Sequence, residues 1–108
     1  MSFRGDLEAL VLATLSEQAL HGYEITRRVN SLDGVKMLDG QLYPLLHRLE
    51  ADGFIEAEWV PQEGKPARKV YRLTESGAGK LATKRDEWEA FAASVSQLLT
   101  PPKEPRHA

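Results

Sequence analysis

Residues 39–54, Asp-Gly-Gln-Leu-Tyr-Pro-Leu-Leu-His-Arg-Leu-Glu-Ala-Asp-Gly-Phe, constrain the fold more than any other stretch. Leu42, Leu45, Leu46 and Leu49 recur at helical spacing, so the segment predicts a helix with one buried face. At about 100° per residue, Gly40, Tyr43, Pro44, His47, Arg48 and Ala51 fall on the opposite side. That side carries a phenol, an imidazole and a guanidinium separated by small residues, a set able to reach into a DNA groove. Taken alone, it reads equally well as the mixed solvent face of an ordinary amphipathic helix. Asp39 is the expected N-cap and Asp52-Gly53 the expected stop. Pro44, five residues past that cap, predicts an irregular first turn or a start one or two residues later.

Upstream, Leu7, Leu10, Val11, Thr14 and Leu15 occupy the i, i+3, i+4, i+7, i+8 positions of a first helix, with Asp6 as its cap. Leu12 lies off that stripe, so this helix is expected to bury more than one side. Ser16 to Gly22 reads as a connector. A second helix is expected from about Tyr23 to Leu32, with Ile25, Val29 and Leu32 as its apolar line and Asp33-Gly34 ending it.

Downstream, Ile55, Ala57 and Trp59 alternate with Glu56 and Glu58, the period of a half-buried strand. Pro61 to Pro66 is turn-rich, and Ala67 to Leu73 alternates again, so the two strands predict a hairpin. Thr74 is placed to cap a last, long helix. In it Leu81, Trp88 and Val95 repeat every seven residues, with Phe91 and Leu98 between and after them, resembling heptad positions. Lys84 breaks the strict pattern. Residues 100–108 hold three prolines and read as a disordered tail.

The 108 residues suit one domain with a modest core, without internal repeats. The net charge of −2 gives no support to nucleic-acid binding, but its distribution does. Pro61 to Arg72 carries Lys65, Arg68, Lys69 and Arg72 against Glu63, whereas residues 36–60 are acidic on balance. A chain acidic on average can still present a basic edge to a phosphate backbone. No cysteine is present, which excludes disulfides, thiolate metal sites and cysteine catalysis. His21, His47 and His107 are scattered, with no i, i+4 His partner, phosphate-cradling glycine loop or nucleophile elbow. No enzyme, cofactor or metal is expected. The N-terminus lacks a signal-peptide pattern and no apolar run approaches a membrane span, so the expected location is the cytoplasm, with no membrane partner.

Three short helices followed by a two-stranded wing form a winged helix-turn-helix, mainly α, in which the third helix enters the major groove and the wing touches the backbone. The main alternative is a winged helix used for protein–protein contact, with the acidic stretch 50–58 as its surface. The expected division is 1–73 for the DNA-binding unit, 74–99 for the last helix and 100–108 for the tail.

The motifs also resemble a known family. Leu20-His21-Gly22-Tyr23-Glu24-Ile25 is similar to the start of the second helix in PadR-like transcriptional regulators. Leu42 to Glu50, Leu-Tyr-Pro-Leu-Leu-His-Arg-Leu-Glu, resembles that family's third helix, and Arg68 to Thr74, with Gly77 after it, resembles its second wing strand. The resemblance covers residues 7 to about 99 and is to the short subfamily with one C-terminal helix. It implies a homodimeric DNA-binding repressor, double-stranded inverted-repeat DNA as partner, and a dimer interface formed by the last helix with the first. Leu81, Trp88, Phe91, Val95 and Leu98 are what such an interface needs.

On this reading Tyr43 and His47 face the groove, and Gln41 pairs with an adenine edge or a phosphate. Arg48 meets a phosphate or, at i, i+4, Asp52. Lys65, Arg68 and Lys69 contact the backbone without specifying sequence, and Tyr23 is a phosphate donor of the same kind. Tyr71 and Arg72 read as structural. Some members of the family stack a planar aromatic ligand on a ring of the last helix. Trp88 and Phe91 are the candidates here, with filling of the dimer core as the alternative role for Trp88.

Overall fold

The computed structural model describes residues 6–102. Four helices and three strands follow in the order α1 (Leu7–Thr14), β1 (Leu20–His21), α2 (Gly22–Val29), α3 (Asp39–Ala51), β2 (Ile55–Gln62), β3 (Lys65–Leu73) and α4 (Glu75–Leu99). This is the winged helix-turn-helix arrangement with a long final helix. Residues 103–108 of the expected tail lie outside the described residues.

Asp6 caps α1, its carboxylate accepting from the Ala9 N–H at 3.2 Å. Val11, Leu12 and Leu15 are all buried, so α1 does bury more than one side. Thr14 is half-buried, and its hydroxyl donates to the Val11 carbonyl.

The stretch read as a connector contains a strand. Leu20 and His21 pair antiparallel with Tyr71 and Val70, giving a three-stranded sheet in the order β1-β3-β2. Two residues are too few to show a period, which is why the sequence pattern missed them.

Helix α2 stops at Val29, earlier than expected, and Leu32 is exposed. The reason is Asn30. Its amide donates to the Met37 carbonyl at 3.0 Å and its carbonyl accepts from the Met37 N–H at 2.6 Å. That clamp ties the segment between α2 and α3 to the end of α2, with Met37 buried.

Helix α3 buries the four predicted leucines. Leu38, not Asp39, occupies its N-cap, because Gln41 reaches back to accept the Leu38 N–H at 3.0 Å. The helix begins at Asp39 and runs unbroken through Pro44, contrary to the expected late or irregular start. Pro44, the sixth helical residue, removes the bond to the Gly40 carbonyl; both residues are exposed, so solvent can take that carbonyl.

Thr74 caps α4, accepting from the Gly77 N–H at 3.0 Å. Leu81 belongs to the chain's own core at 6% exposure. Lys84, the residue that breaks the heptad, places Nζ 3.0 Å from the Asp6 carboxylate, and Lys80 pairs with Glu8 at 2.6 Å. The first half of α4 is thereby docked on α1. No described helix is long and apolar enough to cross a membrane.

Candidate nucleic-acid interface

The exposed side of α3 and the wing bound one open cleft of about 510 Å3, lined by His21, Gly22, Tyr23, Tyr43, Trp59, Arg68, Lys69 and Tyr71. Local structure explains why these side chains meet. Pairing of β1 with β3 sets the start of α2 beside the wing. Tyr43, one turn into α3, then lies across Gly22. A Cβ at Gly22 would come within 2.8 Å of Tyr43 Oη and 3.1 Å of its ring, so only glycine leaves that ring undisturbed. His21 and Tyr23 stack with centroids 6.1 Å apart and 13° between planes.

Trp59 shares a sheet face with Ile55 and Ala57, but sits beyond the end of the core and is 66% exposed. Its register partner is Lys69, whose ammonium lies 5.4 Å from the Tyr71 ring centroid. Tyr71 is buried, and that burial pushes its phenol up from the ordinary value.

Of the residues expected to touch DNA, the fold gathers Tyr23, Tyr43, Arg68 and Lys69 around the cleft. Gln41, His47 and Arg48 lie outside it on exposed parts of α3, and Lys65 lies at the wing tip, where Gly64 takes a φ of +69° to make the turn. Gln41 is partly committed, since its carbonyl serves as the helix cap.

The cations differ in how free they are. Lys69 is held 3.5 Å from Glu50, and Arg72 is 2.7 Å from Glu56 and 3.7 Å from Glu58. Arg48 does not pair with Asp52. Its guanidinium instead lies 3.9 Å from Glu8 on α1, a loose contact for a side chain that remains largely exposed. Lys65 and Arg68 have no ion-pair partner among the described residues. Exposed pairs of this kind contribute at most about 1 kcal/mol, so Lys69 is readily released to a phosphate.

Sequence reasoning missed His21 and Trp59. The signal for Trp59 was an aromatic at the outer end of an alternating run. For His21 it was a ring directly before a glycine-started helix. Burial, with help from Arg68 and opposed by Glu24, lowers the His21 imidazole from its ordinary value, favouring the neutral form. Acidification adds a positive charge to the cleft wall. Duplex affinity is therefore expected to rise a few-fold, roughly the effect of one exposed charge pair, as pH falls from neutral to mildly acidic. A His21→Asn variant should lose that increment in an anisotropy titration; an unchanged increment would assign it elsewhere.

Outside this cleft, Trp88 and Phe91 of α4 meet at 6.1 Å between centroids. Trp88 borders a small groove of about 160 Å3 between α1 and α4, with Leu10, Ala13 and Leu81. Further along, Val95 is half-buried while Leu98 and Leu99 stand exposed. Among the described residues, no group of three or more His, Cys, Asp or Glu could hold a metal.

Comparison with known proteins adds the following. Residues 11–83 match the family model described as the transcriptional regulator PadR-like family. The transcriptional regulator Rv3488 of Mycobacterium tuberculosis is 38% identical over 85 residues, covering 79% of this chain and 78% of that protein. A PadR-like transcriptional regulator from Bacillus cereus superimposes with a TM-score of 0.81 at 28% identity, over 91% of this chain and 95% of the other. A PadR family transcription regulator from Clostridium difficile gives 0.79 at 27% identity, over 87% and 98%.

Proposed function

The chain belongs to the PadR-like family of transcriptional regulators, and from that premise we propose that it is a homodimeric repressor that reads an inverted-repeat operator. The observation that carries this reading is the joint exposure of Tyr43, His47 and Arg48 on α3 beside a wing whose Lys65 and Arg68 lack acidic partners among the described residues. Residues 1–73 act as the DNA-binding unit. Tyr43, His47 and the flank of Gln41 approach base edges. Arg48, Tyr23, Lys65, Arg68 and Lys69 hold phosphates. The α4 segment within 74–99 joins two copies through Trp88, Phe91, Val95 and Leu98, while Leu81 supports that surface from inside each protomer. Trp88 and Phe91 also offer tilted rings to a planar aromatic effector that would relieve repression. The reading places the protein with the chromosome, in the cytoplasm.

Selection from a random duplex pool tests it. The expected product is an inverted repeat with half-sites about one helical turn apart, roughly 10 base pairs centre to centre. Enrichment of a single unrepeated site, or none at low salt, counts against a dimeric reader.

A further inference from the structure

A phosphate seated between α2 and the wing needs donors, not rings. The cleft nevertheless presents Tyr23 at 68% exposure together with Tyr43 and Trp59, more aromatic surface than a phosphate can cover. The Trp59 indole closes nothing inside the domain, and Tyr43 is braced against the Gly22 backbone, so both rings are displayed on a fixed scaffold. Arg68, on the same wall, lies near enough to act on His21 and has no ion-pair partner among the described residues. Open aromatic faces beside an unneutralised guanidinium match a base joined to a phosphate. The volume, about 510 Å3, lies in the range of small-ligand sites.

We propose that this cleft binds a nucleotide, its base stacked on Trp59 and Tyr43 and its phosphate on Arg68, and that the bound nucleotide excludes duplex DNA from the same face. The exclusion rests on the reading of this face as the DNA-binding surface; the nucleotide site does not. A free mononucleotide and an unpaired nucleotide of a single strand carry the same chemistry.

The test uses the intact chain. Tryptophan fluorescence is followed during titration with adenosine monophosphate, a short single-stranded oligonucleotide, adenosine, ribose phosphate and inorganic phosphate. Adenosine monophosphate and the oligonucleotide should quench saturably, and Trp59→Phe should remove the quench. Tyr43→Ala and Arg68→Ala should each weaken binding about tenfold, as should removing either the base or the phosphate from the ligand. Tighter binding of the oligonucleotide per nucleotide assigns the single strand as source, and equal binding assigns the free nucleotide. Inorganic phosphate competing as well as adenosine monophosphate, or no saturable quench, overturns the site. A labelled duplex is titrated in parallel. Displacement by adenosine monophosphate supports exclusion, and simultaneous binding overturns it. If the duplex binds and the nucleotide does not, the inference falls and the DNA-binding reading stands. If the nucleotide binds and no duplex does, the failure belongs to that reading.

Discussion

Replacing Gly77 with alanine lowers the stability of the domain by about 3 kcal/mol, the upper end of what overpacking a core costs. For a domain of this size that shifts Tm by on the order of 10 °C or more. Gly77 is buried in the first turn of α4, against the Phe54 backbone that links α3 to β2 and against Leu73 at the end of β3. A Cβ there would overlap the Phe54 carbonyl oxygen and lie 2.7 Å from Leu73 Cδ1. The obstacle is backbone, so no rotamer change relieves it. That carbonyl also accepts the Thr74 N–H at 3.1 Å, and the Thr74 hydroxyl donates to the Gly53 carbonyl at 2.7 Å. Moving Phe54 aside therefore breaks the junction that joins wing to α4. Gly79 supplies the control. Its Cβ would meet nothing within 4 Å, so Gly79→Ala should stabilise by about 1 kcal/mol through helix propensity alone. Urea or thermal unfolding of both variants checks the sign as well as the size. Equal effects at the two positions would show that the close approach at Phe54 is wrong.

The double substitution Phe91→Glu with Leu98→Glu should turn the proposed dimer into a monomer without unfolding the domain. Helix α4 spans 25 residues, roughly 37 Å, and only its beginning is packed against α1 and the wing. Beyond Lys84 the cover from its own protomer falls away along the helix, Phe91 being 37% exposed and Leu98 86%. A surface of that kind on a monomer invites association. Each buried side chain of this size is worth about 1.5–3 kcal/mol, and two per protomer are lost. Light scattering at micromolar concentration should give half the wild-type mass, with helical circular dichroism retained through the docked first half of α4. A variant that stays dimeric would place the interface elsewhere.

Leucine spacing, alternation in the wing and the cap at Thr74 were legible because each is a local rule: period, turn residue, N-cap. What escaped the sequence depends on non-local partners. Asn30 ends α2 early only because Met37 folds back onto it. Gln41 replaces Asp39 as the group that closes the start of α3 because a reach-back bond to Leu38 is available. Leu81 looked like an interface residue by its heptad position, yet the crossing of α4 over α1 turns it inward. The heptad pattern could not separate a face turned to its own domain from one turned outward. In the candidate interface the separate residues were legible, but their convergence was not. Tyr43, Trp59 and Arg68 are 16 and 9 positions apart in turn, and only the β1–β3 pairing, invisible in two residues, brings the start of α2 to the wing.

That α3 and the wing together form a duplex-binding face is the central claim, and the salt dependence of duplex binding by wild type and by the Lys65→Ala, Arg68→Ala double variant tests it most directly. For each phosphate contact removed, the slope of log affinity against log salt should become shallower by about 0.9. The double variant should therefore flatten by roughly two, and adding Lys69→Ala should flatten it by up to about one more, because the exposed pair with Glu50 is readily given up to a phosphate. A wild-type affinity that falls steeply with salt, with this flattening in the variant, is the predicted result. A slope identical in wild type and variant, or no duplex affinity even at low salt, would contradict it.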